Sequence, residues 1–155
     1  MTVNHLFDPD RAEEVKQRIM SIQPDNAPQW GSMNPAQTFA HCTRSLQLAM
    51  GEINLKRASF PASLLGLVIK PLVFGDNKPI RRNAPSSPEL FPAPLTACDF
   101  ERERTQLIAA IDSFVTGGAV CCSQHPHPFF GRLEPQQWAI LMYKHLDHHL
   151  RQFNG

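Results

Sequence analysis

"YKHLDHHLRQF", residues 143–153, places three histidines, His145, His148 and His149, within five consecutive positions. On a helix the three are not equivalent. At about 100° per residue, positions i and i+4 share a face. Trp138, Met142, His145 and His149 then form one row, continued by Gln152 and Phe153. The tryptophan and methionine mark that row as the side facing a core. His148 falls about 60° to one side of His145, near Leu141 and Gln152, and Asp147 is expected on the opposite, solvent-facing side. Two imidazoles turned inward are costly unless their nitrogens find partners. The spacing H-x-x-x-H lets both rings converge on one divalent ion. Hydrogen bonds to core polar groups, or protonated rings complementing the helix C-terminus, account for the same pair. No Glu follows His145, so the zincin pattern and its general base are missing.

The helix that carries this motif opens at Pro135 and is expected to run to about Phe153. Three more long helices precede it. Asp8 and Pro9 read as N-cap and first helical position of a helix from Pro9 to Ile22, with Val15, Ile19 and Ile22 at helical spacing. Asn34 and Pro35 open a second in the same way, with Phe39, Cys42, Leu46, Ala49, Met50 and Ile53 as its apolar stripe and Gly51 near its end. The third is expected from about Asp99 to Val115, stopped by Gly117 and Gly118.

Between the second and third lie two further features. A short helix from about Pro61 to Val73, "ASLLGLVIKPLVF" at its heart, is apolar on nearly all sides and so is expected to be buried or at an interface. Residues 75–96 hold five of the chain's 14 prolines, Pro79, Pro85, Pro88, Pro92 and Pro94. A crossing this long either lids a site or straps a surface. No strand alternation and no internal repeat are evident. The pattern predicts an all-α four-helix bundle with a short extra helix and a long proline-rich crossover.

The 155 residues suit a single domain, 1–155, with one core. Lys plus Arg number 15 against 14 Asp plus Glu, a formal charge of +1, so the basic stripe of a nucleic-acid binder is absent. The start lacks the basic and apolar regions of a secretory signal, and the longest apolar run is too short for a bilayer and is broken by Lys70 and Pro71. The reading is a soluble, cytoplasmic protein with no nucleic-acid or membrane partner. Cys42, Cys98, Cys121 and Cys122 are then expected as free thiols.

A third ligand to join His145 and His149 should come from another helix. His41, in "PAQTFAHCTRSLQ", is the natural candidate. It lies beside the apolar stripe, on a row with Gln37, Ser45 and Leu48, which suits a groove between helices and equally an ordinary boundary histidine. A rival cluster, Cys121, Cys122, His125 and His127, contains no C-x-x-C and is stiffened by Pro126 and Pro128, so its cysteines read better as small buried fillers.

His41 early in the second helix, with H-x-x-x-H late in the last, resembles the DinB-like superfamily of four-helix bundle proteins. "WGSM" (30–33), "AHC" (40–42), "HPFFG" (127–131), Trp138 and "KHLDHHLRQF" resemble one branch of it, a domain of unknown function. The likeness covers most of the chain, with the motifs in order. It implies a divalent metal held by one histidine of the second helix and two of the last, which match His41, His145 and His149. Ligand type suits zinc, nickel, iron or copper about equally; zinc or nickel is the expected ion. Members of the superfamily include transferases and isomerases that use small thiols, and hydrolase roles have been proposed.

The resemblance therefore implies a metal-dependent enzyme acting on a small-molecule substrate, a thiol-dependent transferase or a hydrolase. Three imidazoles leave coordination positions open for chemistry. Gln152 and His148 are candidates for orienting the ligands, and His127 for reaching the same mouth through the loop that leads into the last helix. Trp30 reads as a core or rim residue. The alternative is a non-catalytic bundle that the metal staples together, acting as a binding or dimerisation module. On either reading the apolar segment from Ala62 to Phe74 suggests a homodimer.

Overall fold

The computed structural model describes residues 2–155, and among them are five α-helices and no strand. They are α1 (Pro9–Ser21), α2 (Pro35–Ala49), α3 (Ala62–Phe74), α4 (Phe100–Cys121) and α5 (Pro135–Arg151). Three of the long helices begin with the same local chemistry, a capping side chain followed by proline. Asp8 accepts the amide of Asp10 at 3.0 Å ahead of Pro9. Asn34 and Gln37 exchange side-chain-to-backbone bonds of 2.9 and 3.0 Å ahead of Pro35. Glu134 and Gln137 form the same reciprocal box ahead of Pro135. Each cap satisfies amides that the first turn leaves unpaired, and proline gives up an amide that had no partner there.

α1 and α2 each pack against both α4 and α5. The core between them takes Val15 and Ile19 from α1, Phe39 and Leu46 from α2, Leu107, Ile111 and Phe114 from α4, and Trp138, Met142 and Leu146 from α5. Burying each large side chain of this kind stabilises the fold by about 1.5–3 kcal/mol before chain entropy is counted. The result is the expected all-α bundle of four long helices, with α3 as the extra helix and residues 75–96 as the crossover. No helix is long and apolar enough to cross a membrane.

One expectation needs correction, and two are narrowed. The regular course of α4 ends at the expected glycines: Gly118, with φ of 58° and ψ of −147°, lies outside the helical range, and a further short turn continues to Cys121. Glycine adopts such a conformation without steric cost, so the chain breaks there and takes one more turn. Of the two settings expected for α3, burial within the chain is not found: Gly66 is its one buried residue, and Leu65, Val68 and Leu72 are 55, 66 and 73% exposed. It touches the bundle through a narrow seam. A Cβ at Gly66 would lie 1.9 Å from the Phe129 carbonyl oxygen, so only glycine permits that approach. Lys144 of α5 donates to the Val73 carbonyl at 2.6 Å and holds the far end of α3.

The correction is Asp147. It is 8% exposed rather than in solvent. Its carboxylate takes Arg18 of α1 at 2.9 Å on one oxygen and Arg151 at 2.9 Å on the other. The helical phase was right about its direction, but α1 covers that side of α5. Twelve of the 17 residues of α5 are buried, so this helix has no solvent face of the usual width.

Candidate metal centre

α2 and α5 pack side by side, and their histidines meet between them. His41 Nε2 lies 3.1 Å from His145 Nε2. One ligand atom from each of His41, His145 and His149 falls within a common span of 4.8 Å. Two imidazole nitrogens bound to one tetrahedral ion at about 2.0–2.1 Å would stand roughly 3.3 Å apart, close to the His41–His145 spacing. The rings approach from different directions: 55° between His41 and His145, 80° between His41 and His149, and 75° between His145 and His149. The three rings are thus inclined to one another rather than stacked.

Which nitrogen faces that point is set from behind. His41 Nδ1 lies 3.0 Å from the carbonyl oxygen of Leu90, and His149 Nδ1 lies 2.6 Å from Gln152 Oε1. Both partners only accept, so each Nδ1 carries the proton and each Nε2 presents a lone pair. Gln152 is anchored in turn: its Nε2 donates to the Trp30 carbonyl at 3.1 Å. Carbonyl groups behind ligating histidines are the usual device for fixing tautomer and ring angle.

Electrostatics agree with neutral rings. Burial pushes the His149 pKa down to about 3, with His41 adding to the shift and the bond to Gln152 opposing it. Burial likewise lowers His145 far below the ordinary value, helped by His149 and His41. His41 is lowered by burial against the opposing pull of the Leu90 carbonyl. A base that stays unprotonated at neutral pH is the form a metal needs. His41 and His149 are buried, while His145 keeps part of its surface open. Among the described residues no fourth His, Cys, Asp or Glu joins the group.

The proline-rich crossover lies against this cluster. Besides the Leu90 carbonyl it supplies Phe91, whose ring stacks on His41 with centroids 4.9 Å apart and planes 12° apart. Its Ile80 carbonyl accepts from His148 Nδ1 at 3.2 Å. Asn34, the cap of α2, donates to the Leu95 carbonyl at 2.8 Å and pins the crossover's return. These contacts lay the crossover over the histidines. Its length left lid and strap equally open, and no sequence pattern singled out Leu90 or Phe91.

The remaining candidates separate clearly. His148 stands with its ring 5.0 Å from that of His149, but its Nδ1 is committed to Ile80 and it lies outside the convergent group. His127 does not bond to the cluster. Its Nδ1 accepts the amides of Phe129 and Phe130 at 3.0 and 3.1 Å, and its ring packs on Phe130 and Trp138. Burial drives its pKa down to about 4, as expected for a histidine that holds the HPFFG turn by accepting. All four cysteines are free; Cys122 is buried and Cys121 partly so, and neither joins a metal-holding group.

The chain belongs to the family described as Protein of unknown function (DUF1569), whose model matches residues 5–155. Comparison with curated proteins and with solved structures yields no match.

Proposed function

We propose that this DUF1569 protein is a divalent-metal-dependent enzyme of the DinB-like type, with His41, His145 and His149 as the metal ligands. One observation carries the reading: two buried histidines bond through Nδ1 to carbonyl oxygens, which leaves Nε2 as the free nitrogen, and one ligand atom from each of the three histidines lies within 4.8 Å of the others. By ligand type three imidazoles suit zinc, nickel, iron or copper alike, and zinc or nickel is the assignment to test first. When bound, such an ion acts as a Lewis acid, acidifying a water or thiol and polarising a substrate carbonyl. The chain's own residues do the rest. Leu90 and Gln152 hold the ligand tautomers, Phe91 shields His41, and the partly open His145 marks the side from which a small molecule enters. The reaction class is transfer from or to a small thiol, or hydrolysis, in a single-domain cytoplasmic protein.

Metal analysis of the purified protein beside His41→Ala and His145→Ala tests the site. Near-stoichiometric metal in the wild type and little in either variant is expected; equal metal in all three rules the site out. Small thiols paired with electrophiles, and simple esters and amides, then form the activity screen.

A second reading is a non-catalytic bundle stapled by the metal and dimerising through α3. The apolar outer side of α3 favours it. The two readings part on metal removal: a staple unfolds without its ion, whereas an enzyme keeps its helices and loses turnover. The three-ligand group favours the enzyme, because a structural site is normally closed by a fourth protein ligand. Homodimerisation through α3 is compatible with either.

A further inference from the structure

A cleft of about 340 Å³ opens beside the histidine cluster, with Trp30, Ile80, Arg82, His148 and Arg151 in its walls. Two guanidinium groups line it and no carboxylate does. Arg82 comes from the crossover and has no ion pair among the described residues. Its guanidinium carbon sits 4.2 Å from the centroid of the Trp30 ring. That stacking holds the planar fork in place while leaving its edge donors unused. Arg151 gives its Nε to Asp147 at 2.9 Å, and among the described residues its two terminal nitrogens have no further partner. The cleft thus carries spare charged donors in a protein whose overall charge is only +1.

The cleft is also coupled to the candidate centre. Its Trp30 wall is tied to His149 through Gln152, which accepts from the imidazole and donates to the Trp30 carbonyl. Its His148 wall lies edge-on to both rings, 5.5 Å from Trp30 and 5.0 Å from His149.

We propose that this cleft binds the carboxylate or phosphate group of a small anionic substrate, with Arg82 and Arg151 as its recognition residues, and so holds the substrate beside the three histidines. The proposal rests on the metal-centre reading for what the anion is delivered to, and on the cleft alone for the binding itself. A planar fork with free edge donors matches the paired oxygens of a carboxylate or phosphate. A macromolecular polyanion does not fit, since the basic groups form one small cleft rather than a stripe.

The test is calorimetric titration with inorganic phosphate and with succinate, alongside Trp30 fluorescence. It compares the wild type, Arg82→Gln, Arg151→Gln, His145→Ala, and wild type stripped of metal and dialysed. Arg82 is exposed and stacked on one ring only, so its variant should fold. Saturable binding of at least one anion is expected, weakened about tenfold or more by Arg82→Gln and retained by the stripped protein and by His145→Ala. The anion should also shift the Trp30 emission, and Trp30→Phe should abolish that signal. No saturable binding by the wild type at roughly tens of millimolar overturns the proposal. So does binding that ignores Arg82→Gln and Arg151→Gln but vanishes with the metal; the anion then sits on the ion, and the metal reading survives without the cleft.

Discussion

Helices α3 and α5 invert the ordinary relation between composition and burial. α3, "ASLLGLVIKPLVF", is nearly all apolar, yet Gly66 is its one buried residue. α5, "PQQWAILMYKHLDHHLR", carries three histidines, a lysine, an aspartate and an arginine, yet 12 of its 17 residues are buried. What surrounds a helix decides the matter. α5 has α1, α2, α3 and α4 as neighbours and the crossover above it, whereas α3 meets α5 and the loop from the HPFFG segment to Arg132. Polar residues can occupy α5 because each finds a partner there: Lys144 the Val73 carbonyl, Asp147 two arginines, His148 the Ile80 carbonyl, His149 the Gln152 amide. Buried polar groups satisfied in this way cost little, and removing one partner costs much.

The contrast can be broken by mutation, with the largest effect on α5. Trp138 is 0% exposed, and its indole N–H donates to the Ser123 carbonyl at 3.3 Å. Trp138→Ala should cost about 3–5 kcal/mol in denaturant unfolding, because it opens a large cavity in the centre of the bundle. A loss below about 1 kcal/mol would mean that α5 is not the central helix.

Acid should come next. His127 is held neutral, with its pKa pushed from the ordinary 6.5 down to about 4. An unfolded chain protonates this ring near pH 6.5, and the folded one does not until near pH 4. Stability contributed by the neutral ring is therefore complete above pH 6.5 and falls as pH drops toward 4, by roughly 3 kcal/mol for this group alone. The lowered values of His41, His145 and His149 act in the same direction. His127→Phe should flatten part of that slope in unfolding curves measured between pH 7 and 4. An unchanged slope would show that His127 does not contribute to it.

Asp147→Ala ranks third. The Arg18–Asp147 pair has side chains 18 and 11% exposed, so it is partly screened, and its loss should cost about 2 kcal/mol. If Asp147 pointed into solvent, the change would be within about 0.5 kcal/mol. Smallest of all should be Val68→Ser on α3, within about 0.5 kcal/mol for folding of the monomer. A much larger and concentration-dependent loss would show that the exposed side of α3 is covered in a dimer.

Most of the fold was legible because helix starts are local chemistry. Asp8-Pro9, Asn34-Pro35 and Pro135 announce their helices with no tertiary information. The histidine phase was legible for the same reason: i and i+4 are properties of one helix. What escaped depends on neighbours. Nothing in α5 itself says that α1 covers Asp147, or that the crossover delivers Leu90 behind His41 and Ile80 beside His148. For α4 the glycine stop was legible, but not which glycine makes it: only Gly118 leaves the helical conformation.

The adjacent pair His148 and His149 offers the most direct test of the account. They share a helix, a chemical identity and nearly the same burial, 8% each, and differ only in where their nitrogens face. Metal content should be measured in His148→Ala and His149→Ala proteins purified side by side from the same medium. The account predicts that His149→Ala loses most of its metal and His148→Ala keeps it. Retention by His149→Ala, or loss in His148→Ala with His149 intact, would contradict the convergence of His41, His145 and His149 on a metal ion.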